Sequence, residues 1–423
     1  MHVQLCYGKS HVNLDLSKLE NASVIKGPNI NPLANLSEEV SSKLKHPTGK
    51  GRLADEIKEK DAKDVVIIIN DITRPTPYEE MLPPILEELH TAGVPTENIK
   101  LLIATGIHRE MTEDEIRTVV GDEVADTYEV INHNCDEEDK LVYMGKLRFG
   151  TEFYVNRACL ATDFLIVTGV IAPHYFAGYS GGRKSVFPGV SGRQSIRHNH
   201  SLMKSEKART CNLEGNPVHL EMLEAARKVG VDFMVNVVID SQGRAVGVVA
   251  GDVEEAWLKG VRIGEQLFVT YIDKPADVVI ACAGGFPKDI NVYQAQKALD
   301  NAAQATRPGG TIVLLAECPE GLGEPTFEAW MSQADFPDDI LERFASGFEL
   351  GGHKAYSLAR VVKDKEVVLV SGLDDDTVKK LFFTPAKDLE EALQHVLDKH
   401  GPGYKCIIMP KAGTIVPVME VVQ

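Results

Sequence analysis

Asp163-Phe164-Leu165-Ile166-Val167-Thr168-Gly169-Val170-Ile171 is an almost unbroken apolar run, rich in β-branched residues. A strand without polar alternation has to be covered on both faces, as strands are in a parallel sheet flanked by helices. The run therefore points to the α/β class. In such sheets ligands bind at the loops leaving the carboxyl ends of strands. The loop here reads Pro173-His174-Tyr175-Phe176-Ala177-Gly178-Tyr179-Ser180-Gly181-Gly182-Arg183-Lys184-Ser185. It continues through Phe187-Pro188-Gly189-Val190 to a helix carrying His198-Asn199-His200. Glycines let backbone amides approach an anion, and a lysine beside them can pair with a charge or form a covalent bond. A base, an anion cradle, an amine and a second imidazole in one segment read as chemistry rather than packing.

Two earlier strands end in similar loops. Asp64–Ile69 is followed by the turn Asp71-Ile72-Thr73-Arg74-Pro75 and a helix over 78–93. Leu101–Ala104 leads into Ala104-Thr105-Gly106-Ile107-His108-Arg109, and Thr112 with Glu115 forms a capping box for the next helix. Three strand exits thus converge on one sheet edge. Residues 233–239 and 245–249 read as antiparallel strands around Asp240-Ser241-Gln242-Gly243, with a helix over 252–269 beyond. Alternation resumes at 277–281, 311–315, 366–370 and 406–409. The expectation is two Rossmann-like domains with mostly parallel sheets: 1–272, opening with a hairpin around Tyr7-Gly8-Lys9-Ser10 and binding the cofactor, and 273–423, contributing substrate contacts. The cleft between them is the expected site.

Charge narrows the function. With 45 Lys+Arg against 62 Asp+Glu, a net charge of −17 and no basic run, the chain lacks a nucleic-acid surface. The first residues carry no charged segment before an apolar core, so no secretory signal is read. No apolar run reaches the roughly 18 residues of a membrane helix. The seven cysteines are scattered without a CxxC pair, which suggests reduced thiols and a cytoplasmic protein.

Several general motifs come close without fitting. Gly178 to Ser185 approaches the phosphate-binding loop G-x-x-x-x-G-K-[ST], but Arg183 stands where the second glycine belongs. Ala283-Gly284-Gly285 after a strand is not the dinucleotide fingerprint. A zinc-dependent hydrolase using His174 and His200 is the alternative from another class, but it needs a third protein ligand that no motif supplies. His198 and His200 would point about 200° apart on a helix, so only one can face a given ligand. His108 and His174, with ordinary pKa values near 6.5, can each take or give a proton near neutrality. Arg74 offers a carboxylate two parallel hydrogen bonds.

Taken together, the motifs P-H-x-x-A-G-x-S-G-G-x-K, D-x-T-R-P and A-T-G-x-H-R resemble those of the nickel-pincer-dependent lactate racemases and their 2-hydroxyacid racemase and epimerase relatives. Tyr293-Gln294-Ala295-Gln296-Lys297 adds a weaker match. The resemblance implies reversible hydride transfer through a 2-oxoacid, with His108 and His174 as acid/base groups. It implies a nickel-pyridinium-3,5-bisthiocarboxylic acid mononucleotide joined to Lys184, with His200 as the metal's protein ligand. Asp71, Ile72, Thr73, Arg74, Ser180, Gly181 and Gly182 become candidates for holding its phosphate and ribose. Arg74, Tyr293, Gln294 and Lys297 become candidates for holding the substrate. Cofactor-synthesis proteins are the implied partners. The aromatic that family members place over the substrate methyl has Tyr356 and Trp330 as candidates. The substrate side chain stays open among lactate, longer 2-hydroxyacids, diacids and sugar acids.

Overall fold

The computed structural model describes residues 2–27, 30–240, 242–349 and 351–420. The chain forms two compact units, one built from Asn29–Leu267 and the other from Met1–Pro28 together with Phe268–Gln423.

The first unit is a six-stranded sheet in the order Ala245–Gly251, Phe233–Ile239, Phe164–Ile171, Val65–Asn70, Ile99–Ala104, Glu129–Asn132. Every pairing is parallel except that of Ala245–Gly251 with its neighbour. The turn joining those two antiparallel strands includes Ser241, which lies outside the described residues. Phe164–Ile171 is buried along its whole length, as a doubly covered strand must be. Tyr78, Leu82, Ile85 and Leu89 of the Tyr78–Ala92 helix pack on Ile67, Ile69, Leu101 and Ile103. Each such side chain contributes about 1.5–3 kcal/mol when fully buried. That helix ends at Gly93, whose φ of 95° a side chain would resist. The predicted capping box is present: Glu115 N–H donates to Thr112 Oγ1 and Thr112 N–H to Glu115 Oε2.

Strand order reverses between Val65–Asn70 and Phe164–Ile171, which lie side by side although 93 residues separate their ends in sequence (71–163). A crevice outside such a switch point is the standard ligand position in open α/β sheets. The two loops leaving it hold Asp71–Arg74 and His174–Lys184.

The second unit is a six-stranded, all-parallel sheet in the order Thr384–Ala386, Glu366–Val370, Thr306–Leu315, Ala276–Cys282, Lys405–Met409, Asn21–Val24. Here the expected division at 272/273 needs amending at its beginning. The hairpin His2–Tyr7/Ser10–Asp15 forms as expected, but it belongs with residues 268–423. Leu5, Leu14 and Leu19 join Val278 and Ile280 in one core, and Asn21–Val24 supplies an edge strand. Asn21-Ala22-Ser23-Val24 is short and half polar, so its pairing with a strand near the far end of the chain leaves no local trace.

Candidate active site

The turn after Val65–Asn70 is anchored from below. Tyr78 Oη accepts the Asn70 N–H at 2.6 Å and meets Thr168 Oγ1 at 2.9 Å, while Thr168 donates to Ile68 O at 2.7 Å. On this base sits Asp71, nearly buried. Its Oδ2 lies 2.6 Å from His108 Nδ1 and its Oδ1 accepts the Thr73 hydroxyl at 2.6 Å. Burial pushes the Asp71 carboxyl up, but hydrogen bonds from His108 and Thr73 outweigh it and leave the group below its ordinary value. The ionised carboxylate accepts a hydrogen bond from His108 Nδ1–H, which leaves the lone pair of the ring on Nε2. Asp71, a candidate for the cofactor's phosphate and ribose, has one bond on each carboxylate oxygen, to His108 and to Thr73. A phosphate would be repelled by the carboxylate. Ile72, Thr73 and Arg74 are exposed beside it.

The glycine loop faces this turn. His174 Nε2 is 3.0 Å from Lys184 Nζ, and His174 Nδ1 accepts the Ala177 N–H at 3.3 Å. The imidazole stacks on Tyr175 and meets Phe176 edge-on at 4.6 Å. Burial, then the charges of Lys184, His200, Arg74 and Arg183, hold His174 well below its ordinary pKa. Lys184 is likewise pushed well below its own, by burial first and then by Arg183 and Arg74. The charge of Arg74 thus bears on Asp71 as well as on His174 and Lys184. The third loop is tied in where Gly106 N–H donates to Gly189 O at 2.9 Å.

Ser180 and Gly182, also expected against phosphate or ribose, are bonded to the strands beneath the loop. The Ser180 hydroxyl donates to Val170 O at 2.8 Å and accepts the Ala172 N–H at 2.9 Å. Gly182 N–H donates to Asn236 Oδ1 at 2.6 Å. Gly181, at φ 75°, leaves no room for a Cβ, which would fall 2.6 Å from the same Asn236 oxygen.

Beneath the loop lies a residue whose role the sequence pattern hides. Arg183 is fully buried; its guanidinium donates to Tyr179 O (2.8 Å), Ala177 O (3.0 Å), Gly181 O (3.2 Å), Ser180 O (3.5 Å) and His219 Nδ1 (3.1 Å). It rests 3.8 Å from the Trp257 ring centre, and Trp257 Nε1 donates to Ser180 O at 2.9 Å. In the motif, Arg183 occupies the variable position and looks like a mismatch to a phosphate loop. The only available signal was that such a bulky cation in a glycine turn must go somewhere.

The two helix histidines diverge as expected. His198 Nδ1 meets Thr151 Oγ1 at 2.7 Å, while Thr151 donates to Glu221 Oε2 at 2.5 Å. His200 stands edge-on to Phe176 at 5.0 Å, and its charge acts on His174. His200 thus belongs to the lysine loop and His198 to a structural network. Among the described residues no group of three or more His, Cys, Asp or Glu side chains is arranged to hold a metal, so the zinc-hydrolase reading still lacks its third ligand.

Tyr293, Gln294 and Lys297 lie on the Val292–Ala305 helix of the other unit. There Lys354 donates to Tyr293 O and sits 3.8 Å over the Tyr293 ring. Trp330 and Tyr356 are core residues of that unit rather than available aromatics. Trp330 Nε1 donates to Glu349 Oε2 at 2.7 Å, and Tyr356 stacks on Phe344 at 4.2 Å. All seven cysteines are free, and no described helix is long and apolar enough to cross a membrane.

Fold and site define an α/β protein with a histidine on each of two neighbouring loops, one bonded to an aspartate and the other to a lysine. Residues 7–211 match the lactate racemase N-terminal domain and residues 272–417 the lactate racemase C-terminal domain. The chain belongs to the lactate racemase family. It is 36% identical over 402 residues to the lactate racemase of Thermoanaerobacterium thermosaccharolyticum, covering 93% of each chain. It is 34% identical over 381 residues to that of Lactiplantibacillus plantarum, covering 88% of this chain and 89% of the relative. The T. thermosaccharolyticum lactate racemase apoprotein structure superposes with a TM-score of 0.89 at 32% identity, covering 99% of this chain and 100% of that one. A Thermotoga maritima protein shares the fold, with a TM-score of 0.62 at 17% identity, covering 94% of this chain and 100% of that one.

Proposed function

We propose that this protein is a racemase or epimerase of a 2-hydroxyacid, with lactate as the first substrate to test. The observation that carries the reading is the pairing of two imidazoles of different setting. His108 is oriented by Asp71, and His174 is bonded to Lys184 on the facing loop. One base takes the hydroxyl proton of one enantiomer, and the other serves the mirror image. A proton α to a carboxylate is too weakly acidic for imidazole to remove, because the resulting dianion has no place for its charge. Departure of the α-hydrogen as hydride avoids that dianion and gives a planar 2-oxoacid.

The residues present fit the nickel-pincer nucleotide of the family. Lys184 offers an amine for covalent attachment, and His200, on the same loop system, offers an imidazole of the kind nickel accepts. When bound, that group supplies the reversible hydride acceptor. Ile72, Thr73, Arg74 and Gly181 would line it. Arg74, with its exposed guanidinium, is the substrate-carboxylate clamp on this unit. Tyr293, Gln294 and Lys297 are assigned to the substrate by family likeness.

The test is a pair of measurements on protein produced together with the cofactor-synthesis proteins. Interconversion of the lactate enantiomers is followed by chiral chromatography, and attachment by intact mass. Racemisation by wild type and loss of the mass adduct in Lys184→Ala are expected. Wild type with a full adduct but inert towards lactate and every other 2-hydroxyacid in a panel would overturn the reading.

A further inference from the structure

The hydrogen bonds around His174 have a direction. Ala177 N–H points at Nδ1, so Nδ1 carries a lone pair there and no hydrogen. A neutral imidazole then bears its hydrogen on Nε2, which faces Lys184 Nζ at 3.0 Å. An ammonium at that point would set one donor against another. Nζ must accept, and only an uncharged amine has a lone pair to accept with.

The surroundings agree. Arg183 lies immediately under the loop with its charge spread over four carbonyls and His219. Among the described residues no carboxylate bonds to it. A guanidinium stays charged in a protein, so the neighbour that yields is the amine. Arg74 adds a second cation from the facing turn. His219, stacked on Trp257, is kept neutral, its pKa lowered to about 3 by burial and by Arg183, so its Nδ1 accepts from the guanidinium.

We propose that the chain presents Lys184, before anything is attached to it, as an uncharged amine nucleophile for an electrophilic acyl carbon, and that Arg183 is the positioning residue that keeps it so. Arg183 touches neither substrate nor acyl partner. It acts by shaping the loop and by making a second positive charge beside it unfavourable. The identity of the natural acyl partner, a thiocarboxylic acid arm whose C–O bond would break with loss of water as the C–N bond of a thioamide forms, rests on the function proposed above; the nucleophile does not. A consequence follows for His174. Acylated Nζ has no available lone pair, so Nε2–H loses its acceptor, and a shift of that hydrogen to Nδ1, breaking the Ala177 bond, leaves Nε2 with the lone pair that a substrate hydroxyl needs.

The test uses the protein made without cofactor, labelled with sulfo-N-hydroxysuccinimidyl acetate between pH 6 and 10. Nζ forms the C–N bond, the succinimidyl oxide leaves with the ester electron pair, and one amine proton goes to solvent. Peptide mass spectrometry reads Lys184 against exposed lysines in the same sample. The half-maximal pH, which does not depend on accessibility, should lie at least one unit lower for Lys184. Arg183→Met should raise it by about one unit, roughly tenfold less labelling at neutral pH. Arg183→Lys, which keeps the charge without the fork, should restore it at least in part.

Should Arg183→Met fail to fold, the wild type decides. ¹⁵N spectra of histidine-labelled protein, assigned with His174→Gln, should show the Nε2–H form of His174 at pH 7. An Nδ1–H form, or a Lys184 midpoint equal to that of exposed lysines, would overturn the proposal. Neither readout needs cofactor or hydroxyacid, so this failure and failure of the racemase reading can be told apart.

Discussion

His108 Nδ1 stands 2.6 Å from a nearly buried Asp71 carboxylate whose other oxygen is held by Thr73 at 2.6 Å. The aspartate selects the tautomer and aims Nε2, and it stabilises the imidazolium formed when His108 takes a proton. Asp71→Asn preserves shape but leaves the tautomer unspecified. Turnover should fall on the order of 10²-fold, within the range for disabling one acid/base group. Racemisation rates of fully loaded enzyme measure this, and a variant within twofold of wild type would leave Asp71 with a structural role only.

His108 and His174 should divide labour by enantiomer. Each single alanine variant should lose racemisation by about 10²–10⁴-fold, yet release some 2-oxoacid in a single turnover from one enantiomer. The preferred enantiomer should be opposite in the two variants. Quenched-flow analysis of 2-oxoacid from each pure enantiomer settles it, and a shared preference would require another arrangement of bases.

Nickel retention should separate the two histidines of the Arg193–Ser201 helix. His200→Ala should lose most of its nickel by elemental analysis. His198→Ala should keep it, because His198 is bonded to Thr151 in the network that includes Glu221. Its cost should appear instead in stability, at about 1 kcal/mol for the lost hydrogen bond, read from urea unfolding. Equal nickel loss in both would count against His200.

Acid should destabilise the fold through buried histidines. His133 is fully buried, donates Nε2–H to Ser191 O at 3.1 Å and accepts from Asn156 Nδ2 at 3.1 Å. Burial lowers its pKa to about 4. Between about pH 4 and 6.5 the unfolded chain binds a proton that the folded chain refuses, so stability rises with pH across that window and is lost on acidification. His133 alone should remove about 2 kcal/mol between pH 7.5 and 5. His133→Asn should be less stable at pH 7.5 but lose less on acidification, by denaturant midpoints at the two values. An unchanged acid sensitivity would assign the effect elsewhere.

The core strands, the Thr112–Glu115 capping box and the three loop motifs were all legible in the sequence, because each depends on residues close together in the chain. An apolar β-branched run such as Phe164–Ile171 needs cover on both faces whatever surrounds it, and a proline beside His174 stiffens its own turn. The divergence of His198 and His200 followed from helix pitch alone. Tertiary structure decided the partners. Nothing in the turn around Asp71 announces its bond to His108, 37 residues away. Arg183 looked like a flaw in a glycine loop until four carbonyls, His219 and Trp257 closed around it. Trp330 and Tyr356 looked available for a substrate until packing buried them. Asn21–Val24 has no pattern of its own and became a strand only because Lys405–Met409 offered an open edge. Local propensity and periodicity are properties of a segment; hydrogen-bond partners and charge neighbours belong to whatever the fold brings beside it.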